Sequence, residues 1–201
     1  MNKKINYLIN TLIVLLVISL YILVFNFIYN SFREKKRNEI AKAIVDKVKD
    51  EIKDSDEHNT IEEVKVKQNN HNFTVLGIIK IKKININEPI LKENTKKAYD
   101  VSVVKMSGPK LNSNGNVSIG GHNYMKGNFF IKINRLKKGD KIEITDLDNI
   151  KLNYYVYDYG VASIDDSSYL AQPKELNTKE ITLVTCTDGG KQRYYVKAKA
   201  K

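Results

Sequence analysis

Ile181-Thr-Leu-Val-Thr-Cys-Thr-Asp-Gly-Gly-Lys-Gln-Arg-Tyr-Tyr-Val196 is the stretch on which the reading of the chain turns. Ile181 to Thr185 is apolar and β-branched, which predicts a buried strand ending at Cys186. Asp188-Gly189-Gly190 carries the composition of a tight turn, and Tyr194-Tyr195-Val196 resumes a strand pattern. The expected object is a β-hairpin, with a thiol at the tip of one strand and the guanidinium of Arg193 at the start of the next. Cys186 is the only cysteine in the chain, so it has no partner for an internal disulfide. Three readings remain open for it: a buried inert thiol, an intermolecular bridge, or a reactive nucleophile.

A second stretch, Asn116-Val-Ser-Ile-Gly-Gly-His-Asn123, runs a short strand pattern into Gly120-Gly121 and then His122. Paired glycines allow a tight turn or the close approach of another chain beside the imidazole. A cysteine, a histidine and an arginine, each at a strand end, are what thiol acyl transfer requires.

These residues resemble the sortase family, membrane-anchored cysteine transpeptidases of Gram-positive bacteria. The match lies in Gly121-His122, in Thr182-Leu-Val-Thr-Cys186 and in Arg193 on the following strand. Weaker matches are Leu76-Gly-Ile-Ile-Lys-Ile81, Glu88-Pro89-Ile90 and Leu136-Lys-Lys-Gly-Asp140, so the resemblance runs roughly from Phe73 to the C-terminus. It implies a mainly β fold, an eight-stranded barrel with few short helices. It also implies roles: Cys186 attacks a peptide carbonyl in a Leu-Pro-x-Thr-Gly-like sorting signal, His122 shuttles the proton, and Arg193 holds the substrate backbone or the oxyanion. The implied partners are secreted proteins with a C-terminal sorting signal and, as acceptor, an amine of a lipid-linked peptidoglycan precursor or a pilin. No cofactor or metal is expected. The short interval between Cys186 and Arg193, with no lid segment upstream, looks like the housekeeping or class D members. Class B stays open, although Asp165 to Lys179 is barely long enough for that class's helical insertion.

The 201-residue length permits one ordinary domain and an appendage. Residues 6–29 supply the appendage: Leu12 to Phe25 is apolar except for Ser19, and about 20 such residues cross a bilayer core as a helix. A small-x-small cleavage pattern does not follow in Asn26–Phe32, which favours an uncleaved anchor over a removed signal peptide. Residues 1–5 then form a short cytoplasmic tail. Lys3 and Lys4 precede the apolar run while Arg33, Lys35, Lys36 and Arg37 follow it, so the positive-inside rule alone points the C-terminal side inward. The resemblance implies the reverse, a single-pass protein with its catalytic domain extracellular, and that is the orientation expected here.

The net charge of +11 divides into +5 over residues 1–37, −3 over 38–71 and +9 over 72–201. The lysines of the basic domain are scattered, as in Ile79-Lys-Ile-Lys-Lys-Ile84, and form neither a basic helix nor an aromatic-basic reading face, which argues against nucleic acid. A solvated strand face is the ordinary reading of that charge, and attraction to anionic wall polymer or lipid is the functional alternative. A membrane-tethered, non-catalytic β-domain is therefore the rival reading. A second rival is an L,D-transpeptidase-like acyltransferase, although that family usually keeps an Arg two residues after its Cys, where this chain has Asp188.

Residues 30–71 read as a juxtamembrane helix and linker before a catalytic domain over 72–201. Ile40, Ile44, Val48 and Ile52 recur every fourth residue, with Ala41 and Val45 beside them. That stripe looks too narrow for a core helix, and a simple stalk is expected. His58 and His71 sit in polar stretches without the paired spacing of a metal site. Val64 and Val66 suggest a short extended piece. Eight strands are then expected, at Phe73–Ile81, Ile84–Ile90, Val101–Lys105, Val117–Ile119, Lys141–Thr145, Leu152–Val161, Ile181–Thr185 and Arg193–Lys199, with a helical turn in Phe129–Leu136.

Overall fold

Eight strands close into a ring between residues 71 and 200. The computed structural model describes residues 3–54, 63–68, 71–123 and 129–201; His58 and Tyr124 lie outside them. Its strands are β1 (Val64–Gln68), β2 (His71–Ile81), β3 (Ile86–Leu91), β4 (Val103–Ser107), β5 (Gly115–Gly120), β6 (Lys141–Asp146), β7 (Lys151–Ser163), β8 (Lys179–Thr187) and β9 (Gln192–Ala200). The helices are α1 (Lys3–Asp54) and a single turn, α2 (Lys96–Tyr99). Around the ring the order is β2-β3-β4-β5-β8-β9-β7-β6, and β6 returns to pair with β2. β1 stands outside it: β1 pairs with the first half of β2, Val64 opposite Val75, whereas β6 takes the second half, Gly77 opposite Asp146. Closure leaves no free edge in the ring itself.

All eight expected strands form, with two boundaries moved. β3 begins at Ile86 because Lys82–Ile84 is a 3₁₀ turn that Asn85 ends in the left-handed region, φ 56°. β4 begins at Val103 because the amides of Val101 and Ser102 both bond back to Ala98 O at the end of α2. The helical turn expected in Phe129–Leu136 is a 3₁₀ turn at Ile133–Arg135.

Two packed layers follow from the alternation of side chains along β2, β3 and β4. Ile79, Ile90 and Val103 point into the barrel, while their neighbours Ile78, Leu91 and Val104 point outward and are equally buried. Strands apolar on both faces need a cover on the outside. The second half of α1 provides it: Ile44, Val45, Val48 and Ile52 pack on that outer face with Val64 and Val66 of β1. This corrects the expectation of a simple stalk for the helix from Ile40 to Asp54. From Ile40 onward the chain belongs to the same compact unit as the barrel, and Val45 and Val48 are fully buried. The stripe is narrow because it covers one sheet face, not because it is unpartnered. Each such side chain contributes about 1.5–3 kcal/mol when buried.

Residues up to Glu39 form a separate unit. There α1 is long and apolar enough to span a membrane, and its apolar side chains from Ile5 to Phe32 are exposed. Tyr21, Phe25 and Tyr29 stack at four-residue intervals along it.

Candidate active site

β5 and β8 run parallel, with Gly120 opposite Val184, so the residues that follow each strand emerge at the same end of the barrel. β8 and β9 are antiparallel, and Cys186 and Arg193 are direct cross-strand partners. Partners in such a pair share a face of the sheet. On β8 the inward set is Ile181 and Leu183, in the barrel core; Cys186 therefore faces outward with Thr182 and Val184, and Arg193 with Tyr195. The hairpin closes in three consecutive left-handed residues, Asp188 (φ 48°), Gly189 (φ 61°) and Gly190 (φ 96°). Two of the three being glycine keeps that turn short without steric cost. The Arg193 guanidinium lies over it, Nη1 donating to Gly190 O at 2.8 Å and to Gln192 O at 3.0 Å.

Three hydrogen bonds fasten the histidine segment to the cysteine strand. Gly121 N donates to Val184 O at 3.0 Å, and the Thr185 hydroxyl donates to Gly121 O at 2.6 Å. The Asn123 side-chain amide donates to the carbonyl of Cys186. Thr185 and Asn123, flanking residues in the sequence, thus fix the spacing between the strand ends that carry the thiol and the imidazole. The backbone N–H of Phe130 donates to His122 O at 2.9 Å and holds the far side. The paired glycines serve close approach. A Cβ on Gly120 would sit 2.7 Å from the Tyr99 hydroxyl and 2.8 Å from the Met106 sulfur, and one on Gly121 would sit 2.7 Å from the Phe130 ring.

The surroundings of Cys186 were not visible in any local motif. Tyr99 lies against His122 with ring centroids 5.3 Å apart, and Asp100 Oδ1 is 3.7 Å from His122 Nε2. From the loop before β8, Tyr169 stacks on Tyr195 at 5.3 Å, 5° from parallel, and packs with Ala162 and Val184. That loop is pinned: Asn116 N donates to Gln172 Oε1 at 2.7 Å, Asn116 Nδ2 to Ala171 O at 3.1 Å, and Thr182 Oγ1 to Asn116 Oδ1 at 2.9 Å. It contains one 3₁₀ turn, Ser168–Leu170, and no long helix. The result is an aromatic and aliphatic floor beside a thiol and a guanidinium.

Electrostatics place the same groups together. Burial pushes the Tyr99 hydroxyl up to about 12, an anionic Cys186 adding to the rise and Arg193 opposing it. Tyr169 is raised by burial too, with Arg193 pulling it down and Asp166 and Cys186 pushing it up. His122 titrates below the usual imidazole value because burial disfavours its cation; Asp100 opposes that lowering and Lys96 adds to it. Among the described residues, no group of three or more His, Cys, Asp or Glu side chains is placed to hold a metal ion. His71 is exposed, edge-on to Phe73 at 6.4 Å.

The family model of the sortase domain matches residues 79–201. The chain belongs to the sortase family. Among curated relatives, Sortase A of Bacillus anthracis is 31% identical over 127 residues, covering 61% of this chain and 58% of that protein. The chain thus matches less than two thirds of that relative's length. Among solved structures, the Clostridium perfringens Sortase D5 transpeptidase is 29% identical with a TM-score of 0.64, over 81% of this chain and 99% of that one. Clostridium perfringens sortase C with the C-terminal cell wall sorting motif shares the fold at 23% identity and a TM-score of 0.58, over 83% of this chain and 90% of that one. Sortases are cysteine transpeptidases associated with membranes, and this sortase has the eight-stranded barrel and a long apolar N-terminal helix suited to an anchor.

Proposed function

We propose that this sortase is a membrane-anchored transpeptidase whose catalytic residues are Cys186, His122 and Arg193. The observation that carries the proposal is the cross-strand pairing of Cys186 with Arg193, with the His122 segment tied to the same strand by the bonds of Thr185 and Asn123. The Cys186 thiolate attacks the carbonyl carbon of Thr in a Leu-Pro-x-Thr-Gly-like sorting signal. His122 protonates the departing Gly amine as the Thr–Gly bond breaks, leaving a thioester on Cys186. An acceptor amine, deprotonated by His122, then attacks the thioester; the new amide forms, the C–S bond breaks, and the Cys186 thiolate and protonated His122 are restored. Arg193 supplies non-titrating donors for the substrate backbone or the oxyanion. The acceptor is an amine of a lipid-linked peptidoglycan precursor or of a pilin, and the substrates are secreted proteins bearing the signal.

Residues 6–29 anchor the chain in a single pass with the catalytic unit outside the cell, where both substrates are found. The pinned loop before β8, with its single 3₁₀ turn, supports a class D or housekeeping-like member over class B. The test is intact-mass spectrometry of the full chain in detergent micelles with a Leu-Pro-x-Thr-Gly peptide library, with and without an amine. Acylation at Cys186 that the amine discharges is the expected result. No adduct from any peptide, together with a thiol silent to alkylation, would leave the non-catalytic wall-binding reading in its place.

A further inference from the structure

Thr95 caps α2 by accepting a hydrogen bond from Ala98 N at 3.3 Å. Asp100 ends the same turn, its N–H bonded to Lys96 O at 3.1 Å. The next residues lock it: the amides of Val101 and Ser102 bond to Ala98 O at 2.9 Å, and the buried Ser102 hydroxyl bonds to Pro89 O at 2.6 Å. A one-turn helix this short has little stability of its own. Here it is held at both ends, so its last residue, Tyr99, and the C-cap that follows, Asp100, are presented at a fixed place. Tyr99 lays its ring 5.3 Å from the imidazole and its hydroxyl over Gly120. Asp100 puts Oδ1 3.7 Å from Nε2, and its other oxygen, Oδ2, meets the Lys96 ammonium at 3.5 Å.

We propose that Asp100 is a positioning residue for His122, its carboxylate stabilising the imidazolium that must form when His122 holds the proton for the leaving amine or takes one from the acceptor. The proposal rests on the reading of His122 as the proton-transfer group. At 3.7 Å the contact exceeds hydrogen-bond length and works through charge, so it strengthens once the ring is protonated. Such support is needed: the His122 side chain is only 17% exposed, and burial opposes the cation. Lys96 acts against it from the same turn. On β8 and β9 the cross-strand pair Cys186 and Arg193 stands at the strand ends to which the His122 segment is tied; a thiolate there would favour the imidazolium and the guanidinium would oppose it. α2 therefore carries one group of each sign beside the histidine, and the balance between them sets how readily His122 holds a proton.

The measurement is the NMR titration of the His122 ring in the full chain in detergent micelles, paired with steady-state transpeptidation. Asp100→Asn keeps the shape and removes the charge; the His122 midpoint should move to lower pH. Lys96→Ala should move it to higher pH. Opposite shifts from two residues of one turn are not what a merely structural role produces. In turnover, Asp100→Asn should lower kcat by roughly tenfold with KM unchanged, short of the roughly 10²–10⁴-fold supplied by a general acid or base itself, and Asp100→Glu should recover part of it. An unmoved midpoint in both variants overturns the proposal even if His122→Gln is inactive. A fully active His122→Gln would instead overturn the reading beneath it.

Discussion

Thr185 and Gly121, 64 positions apart, are joined by a 2.6 Å hydrogen bond from the threonine hydroxyl to the glycine carbonyl. Both are buried, so neither has water as a substitute partner. The side chain of the residue before Cys186 thus clamps the residue before His122.

Thr185→Val keeps the shape and leaves the Gly121 carbonyl without this donor. An unsatisfied buried group of this kind costs about 1–3 kcal/mol. Urea unfolding should show a lower midpoint at unchanged slope, and Thr185→Ser should restore most of the loss. Equal midpoints for the valine and serine variants would remove the clamp from the account.

Glycines 120 and 121 should not tolerate even a methyl group. Alanine at Gly121 would press on the Phe130 ring, and at Gly120 on the Tyr99 hydroxyl. Overpacking of this sort costs about 1–3 kcal/mol. Because the displaced groups border His122, activity should fall further than stability does. Gly120→Ala combined with Tyr99→Phe relieves one clash and should regain part of the loss, measured as turnover and thermal midpoint together.

Truncation separates the two parts of α1. A chain starting at residue 30 retains Ile40–Asp54 and should stay folded and active without detergent. A chain starting at residue 72 loses Ile44, Val45, Val48, Ile52 and all of β1, uncovering Phe73, Ile78 and Leu91. At about 1.5–3 kcal/mol per buried side chain, it should be several kcal/mol less stable or aggregate. Val48→Asp in the longer chain should reproduce that instability, and a native-like unfolding midpoint in either would show that the helix merely lies alongside.

The depressed titration of His122 has a sign for stability. Its folded-state value lies below the reference of 6.5, so between the two the unfolded chain binds more protons than the folded one. Stability from this residue is therefore present above 6.5 and lost as pH falls through the folded value. Urea midpoints across that window should fall less steeply in His122→Gln than in the parent. A parent whose stability does not depend on His122 there would contradict the burial that lowers it.

Much of the barrel could be read from the chain. Alternation between Ile181 and Val196 gave a hairpin, and its short turn put Cys186 opposite Arg193. Every strand from Phe73 onward carried enough β-branched residues to be found. What stayed hidden was non-local. Ile44, Val48 and Ile52 look underfilled until the outer face of β2 to β4 is known to be apolar as well. Tyr99 and Asp100 reach His122 across 22 or more positions through α2, a single helical turn with no periodicity to detect. Tyr169 reaches Tyr195 from a loop, where sequence gives composition but no direction. In the sequence Asn123 is only the residue after His122, and its bond to the Cys186 carbonyl depends on two strands lying side by side.

The parallel pairing of β5 with β8 also settles where this chain can change. Because side chains alternate, moving β8 by one residue would bury Cys186 and turn Thr185 to solvent. Length cannot vary within either strand. Beyond Thr187, however, the chain has run past the β5–β8 ladder, whose last pair is Gly120 with Val184, and added residues there need not shift the thiol. Loop length can vary at that end while Cys186 stays in register with Arg193, so the surroundings of the thiol can change while its pairing is kept.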